Sequence, residues 1–157
     1  MRHILLQFVL MVFGLTVAYA APSQNNQSPV GYWKTIDDVT GKPKSIMQIS
    51  EQSDGSLNGR IVKIWPKPGK DINEVCEACE GEKHNQRIVG MVILTGLKQG
   101  ETQWEGGEIL DPSTGKTYHC NMRVVDNGAK LNVHGYIGFS LLGRTQTWLR
   151  VGSASAR

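Results

Sequence analysis

Cys76-Glu77-Ala78-Cys79, followed at His84 by an imidazole and far along the chain by Cys120, is the sharpest chemical motif in this 157-residue sequence. A C-x-x-C pair has three uses. It exchanges disulfides when it opens a helix after a strand, where the helix N-terminus lowers the pKa of the attacking thiol. No βαβ unit is present here, and Glu77 and Glu80 would raise that pKa instead. It holds zinc when four donors converge; Cys76, Cys79, His84 and Cys120 are suitable atoms, but only one C-x-x-C is present and the fourth donor is remote. In an oxidising compartment the default is a structural disulfide.

Three cysteines leave the connectivity of such a staple open. By loop entropy, a Cys76–Cys79 link contributes roughly 2 kcal/mol, whereas a link from either residue to Cys120 closes about 45 residues and contributes roughly 4 kcal/mol. Geometry and access argue the other way. Cys120 alternates with Tyr118 and Met122 on one face of a strand-like run, while the C-x-x-C sits in the polar stretch CEACEGEKH. Cys76 is therefore expected to pair with Cys79, leaving Cys120 buried and free.

Other constellations carry less chemistry. Asp37 and Asp38 could act as paired acids, but neighbours in a strand point to opposite faces, and such a pair more often caps a turn, here before Thr40-Gly41. Asp111-Pro112-Ser113-Thr114-Gly115-Lys116 contains a GK without the spacing of a phosphate-binding loop and reads as a hairpin turn. His119 and His134 fall on the expected outer faces of consecutive strands and read as surface histidines. No Ser-His-Asp order or nucleophile elbow is visible. No catalytic residue, cofactor or metal is expected.

The elements that position these residues are all strands. Period-two patterning with β-branched and aromatic content marks runs at Val30–Ile36, Lys44–Gln52, Ser56–Trp65, Ile88–Lys98, Thr102–Leu110, Lys116–Val125, Lys130–Ile137 and Arg144–Val151. Thr40-Gly41, Asp54-Gly55, Gln99-Gly100, Asp111 to Gly115 and Asn127-Gly128 are tight turn signals between them, and such short links force antiparallel neighbours. Gly106-Gly107 inside the fifth run marks a bulge or bend. Tyr118, Cys120, Met122 and Val124 should face inward, as should Leu131, Val133, Gly135 and Ile137. Ile88–Leu97 is apolar on both faces, so the long interruption Pro66–Arg87 is expected to cover its outer side.

Residues 1–20 read as a secretory signal: a basic start at Arg2-His3, an apolar run from Ile4 to Val17, and the small-residue cleavage site Ala18-Tyr19-Ala20. The apolar run is shorter than the ~20 residues that span hydrocarbon. Cleavage after Ala20 would release a protein to the periplasm or beyond, with a polar flexible lead at 21–29, a single β domain at 30–151 and a frayed tail at 152–157. The formal net charge is +3, with lysines and arginines scattered among acids, which excludes the basic footprint of a nucleic-acid binder.

Two tryptophans bracket the domain, in Gly31-Tyr32-Trp33 and Trp148-Leu149-Arg150. An aromatic ring on the first strand and a guanidinium on the last can stack and bond across the seam of a closed barrel, a device that resembles the signature of lipocalin and avidin barrels. The longer blocks GYWKTIDDVTGKPKSIMQI, CEAC with IVGMVILTGL, WEGGEILDPSTGKTY and LNVHGYIGFSLLGRTQTWLR closely resemble an exported bacterial family, domain of unknown function 2147. The resemblance runs from Val30 to Arg150. It implies a single eight-stranded antiparallel up-and-down barrel, lipocalin-like or calycin-like, with Gly31, Trp33 and Arg150 at the seam, and it transfers no catalytic residue.

Two functions fit such a barrel. It carries a small apolar ligand, with Trp104, Tyr118, Met122 and Ile137 as walls and Trp65 near the mouth, or it is packed solid and acts as an envelope interaction module. The mixed sizes of Tyr118, Cys120, Met122 and Gly135 favour the carrier, because a solid core would draw on Leu, Ile and Val.

Overall fold

The computed structural model describes residues 27–155; the leader expected at residues 1–20 lies outside them. Eight strands follow one another as β1 (Gly31–Ile36), β2 (Pro43–Glu51), β3 (Leu57–Ile64), β4 (Val92–Gln99), β5 (Trp104–Asp111), β6 (Lys116–Val125), β7 (Lys130–Tyr136) and β8 (Gly143–Val151). Each pairs antiparallel with the next, and β8 returns to β1, closing the barrel in sequence order. Alternation drives this arrangement. On β6, Cys120 and Met122 are buried while Lys116, Thr117, His119 and Arg123 face water, so one face of the strand must meet an apolar interior.

The strand count and order follow the sequence, with shifted boundaries where backbone irregularity intervenes. β4 begins at Val92 and not at Ile88, because the chain turns at Gly90 (φ 100°), whose amide bonds the carbonyl of Ile61. Bulges against β3 then set Gly59 opposite Leu94 and Arg60 opposite Val92. The consecutive residues Ile93 and Leu94 are both buried as a result, which is why this run reads as apolar on two faces. The Pro66–Arg87 loop is not needed as an outer cover and stands at the barrel's end instead. Ile137 is a second correction: β7 stops at Tyr136, the chain turns at Gly138, and Ile137 is 62% exposed and not inward. Gly106-Gly107 does carry a bulge, as the register between Trp104 and Gly107 slips against β6.

An up-and-down barrel sorts its connections into two ends. The β2–β3, β4–β5 and β6–β7 turns lie at one end together with the start of β1 and the end of β8. The β1–β2, β3–β4, β5–β6 and β7–β8 connections lie at the other, and all four are longer than a two-residue hairpin turn. The first end is sealed and the second is open.

Candidate functional site

The seal is built on Trp33, which is fully buried and sits opposite Arg150 in the β1–β8 register. The guanidinium carbon of Arg150 lies 4.1 Å from the centroid of the Trp33 ring. Its nitrogens donate to the carbonyls of Gly128 (2.5 Å), Val30 (3.1 Å) and Ser28 (2.7 Å), while Trp33 Nε1 donates to Pro29 (2.7 Å). One side chain thus ties the β6–β7 turn, the first strand and the segment before it. Ser28 and Pro29, expected in a flexible lead, are drawn into the barrel by these carbonyls. Burial lowers the pKa of Arg150, a cost the three acceptors offset. Gly31 is required here: its φ is 130°, and a Cβ would sit 3.2 Å from Arg150 Nη1.

Above this floor a cavity of about 700 Å³ opens at the far end of the barrel. Its apolar wall comes from Met47, Ile61, Ile93, Ile109 and Val133, alternate inward positions of β2 to β7. Thr35 and Ser45, buried near the mouth, satisfy each other through their hydroxyls at 2.7 Å. Asp37 and Asp38 part company at the rim. Asp37 accepts from the Thr40 amide and hydroxyl (2.8 Å each) and from the Val39 amide, bonds that hold its carboxyl below the usual range. Asp38 reaches across to β8, where it pairs with Arg144 and accepts from Gln146 Nε2 at 2.7 Å.

One side of the mouth is formed by the β3–β4 loop. Cys76 and Cys79 are joined as a disulfide, and Cys120 is buried and free. The bond uses both sulfurs of the C-x-x-C, and the two residues are 0% and 3% exposed, closed to a partner thiol. A Val75–Arg87 bridge, the Asn85 amide on the Cys76 carbonyl and His84 Nδ1 on the Cys79 carbonyl (2.9 Å) complete the fold of the loop. The loop also docks on the β5–β6 turn: Cys76 Sγ lies 3.3 Å from the Pro112 oxygen, and Ala78 backbone fills the space where a Cβ of Gly115 would be. Glu74, Val75, Glu77 and Ala78 then border the cavity. Burial pushes the Cys120 thiol up to about 12. Thiol labelling of the native oxidised protein is accordingly expected to modify almost nothing, and labelling after denaturation one thiol; three reactive thiols would contradict the pairing.

The residues expected as walls are spread along the whole barrel. Tyr118 lines the cavity. Trp65 borders it, but its ring is held between the ammonium groups of Lys63 (4.5 Å) and Lys34 (6.0 Å), beside the outward register row Lys34–Ile46–Lys63. Met122 and Trp104 pair with each other near the sealed end, outside the cavity lining, and Ile137 is in the exposed β7–β8 loop. His119 and His134 flank Tyr136 at 5.5 and 5.7 Å between centroids. The rim residues Lys44, Arg144 and Gln146 were not anticipated. A signal for two of them exists in the sequence, since Arg144 and Gln146 keep period-two phase with the buried Trp148.

Residues 31–150 match the family model described as "Uncharacterized protein conserved in bacteria (DUF2147)". No curated protein matches the chain. Among solved structures, the chain is similar to protein HP1028 of Helicobacter pylori, described as belonging to the lipocalin family, with a TM-score of 0.68, 22% identity, and coverage of 80% of this chain and 84% of that one. At this identity the likeness speaks for the lipocalin-like barrel and for nothing finer.

Proposed function

We propose that this chain, which belongs to the bacterial family DUF2147, is an exported lipocalin-like barrel that takes up a small apolar molecule through the mouth of its cavity. The carrying observation is the cavity itself: about 700 Å³, open at one end, with an aliphatic wall inside and charged and polar groups around the rim. Ligand sites of ~300–1,000 Å³ have this character. A barrel packed solid would place side chains where Gly135 leaves room. Export is supported by the pattern of residues 1–20. No residue is assigned a catalytic role.

A second reading, an interaction module of the cell envelope, draws on the β7–β8 loop. Phe139, Leu141 and Leu142 are 80%, 94% and 74% exposed beside Ile137, an apolar cluster of the kind that marks contact surfaces.

Native mass spectrometry of the protein purified from its own cells is expected to find a retained small molecule. Gly135→Leu provides the control. The nearest atoms to an added Cβ there are in the Ile109 and Tyr118 side chains at 3.7 Å and the His119 oxygen at 4.0 Å, ordinary contact distances, and Gly135 lines the cavity, so the longer side chain projects into it. The variant should fold and lose the adduct. An adduct that survives in Gly135→Leu, or a bare mass in the parent protein, would tell against the carrier.

A further inference from the structure

The cavity has two unlike walls. Strands β3 to β7 contribute Ile61, Ile93, Ile109 and Val133, with Tyr118. Strands β8, β1 and β2 contribute a polar band. Trp148 Nε1 donates to Gln146 Oε1 (3.4 Å), Gln146 Nε2 donates to Asp38 Oδ2, and Arg144 pairs with that same oxygen. Beside them stand the Thr35–Ser45 hydroxyl pair and Lys44. Lys44 is the extra residue of a bulge: Thr35 faces Ser45 and Ile36 faces Pro43, which leaves Lys44 without a register partner at the rim. Bulges re-aim side chains in this way.

The charges on this band are unequally committed. Asp37 is occupied by Val39 and Thr40 and Asp38 by Gln146 and Arg144; Asp111, across the mouth on β5, is occupied by Ser113 and Thr114. The ammonium of Lys44 acts on the Asp37 carboxylate only through space, with no salt bridge among the described residues, and Arg144, whose side chain is 66% exposed, keeps donors beyond the one pair. Glu74 and Glu77, which border the mouth from the β3–β4 loop, are matched in number there by Lys67 and Lys70. Unused donors therefore face the mouth on the polar band, and an aliphatic wall faces them.

We infer that the ligand is an amphiphile with an anionic head: its hydrocarbon lies against Ile61, Ile93, Ile109 and Val133, and its head oxygens are bound by Arg144 and Lys44, in competition with Asp38. This rests on the carrier reading and names the ligand class for that same cavity. A carboxylate matches the planar guanidinium fork, and charge-assisted bonds of this type are about twice as strong as neutral ones.

Calorimetric titration with dodecanoate, dodecanol and dodecylamine, each kept below its solubility or micelle limit, tests the head group at constant chain length. Dodecanoate is expected to bind about tenfold tighter than the alcohol, and the amine weakest. The preference should shrink as salt is added. Arg144→Gln should bring the acid down to the alcohol, Lys44→Gln should lower it in part, and Asp38→Asn should tighten the acid by removing its competitor. Lys130→Gln, at the sealed end, should leave the preference intact. Equal affinity for the three probes, or tightest binding of the amine, would overturn the anionic head while leaving the apolar cavity in place. Failure of all three to bind would overturn the carrier reading with it.

Discussion

Arg150→Ala should lower the stability of the barrel by roughly 2 to 4 kcal/mol in a denaturant titration, the combined loss of a cation–π contact and of charged donors to three backbone carbonyls. The guanidinium covers Trp33 and bonds Gly128, Val30 and Ser28 in three directions, and among the described residues no other side chain links those segments at the seam in this way. Arg150→Lys should recover little, since an ammonium cannot both stack flat and reach three acceptors. Arg144→Ala, on the same strand but exposed at the mouth, should cost less than about 1 kcal/mol. Small and equal effects at both positions would mean that Arg150 is a surface charge and not the bolt of the seam.

The second large effect is expected at Gly115. Its φ of 70° already penalises any side chain, by about 1–2 kcal/mol for the left-handed region. In addition, a Cβ there would collide with the carbonyl of Ala78 in the disulfide loop, which is backbone and cannot swing aside. Gly115→Ala should therefore cost about 3 kcal/mol or more and push the β3–β4 loop away from the β5–β6 turn. Gly55→Ala isolates the first contribution, because Gly55 has a φ of 78° and nothing within 4 Å of its Cβ position. Thermal melts of the two variants should differ by several degrees. Equal melting points would show that the loop does not press on the turn.

What could be read from the residues was whatever depends on local alternation and turn chemistry. Asn127, at φ 51°, and Gly55 supply the positive φ that the tight turns need, and the inward set Tyr118, Cys120 and Met122 follows from period two. The seam was legible for another reason: a closed barrel must join its first and last strands, so Trp33 and Arg150 could be matched without knowing what lay between. The cavity was less legible. Trp104 and Met122 have the right phase to face inward, but depth along the barrel axis is not encoded in alternation, and they fall at the sealed end while Tyr118 falls higher. Irregular backbone hid the rest. The bulge at Lys44 and the double bulge of β4 against β3 shift phase, the turn after Tyr136 ends β7, and pattern alone carries a strand straight through them.

The Trp33–Arg150 contact also sets the order in which the barrel can assemble. Seven of the eight strand pairings join neighbours in sequence and can zip from one hairpin to the next, whereas β1 with β8 joins the two ends of the domain. The entropy of closing so long a loop grows only logarithmically with its length, but it must be met before any contact in the seam returns energy. The curled sheet therefore forms first and the seam shuts it last, so the arginine acts as a latch on a nearly finished cylinder and belongs to the late side of the folding barrier. Changes at the latch are then felt mainly as faster opening, with the rate of folding left nearly as it was.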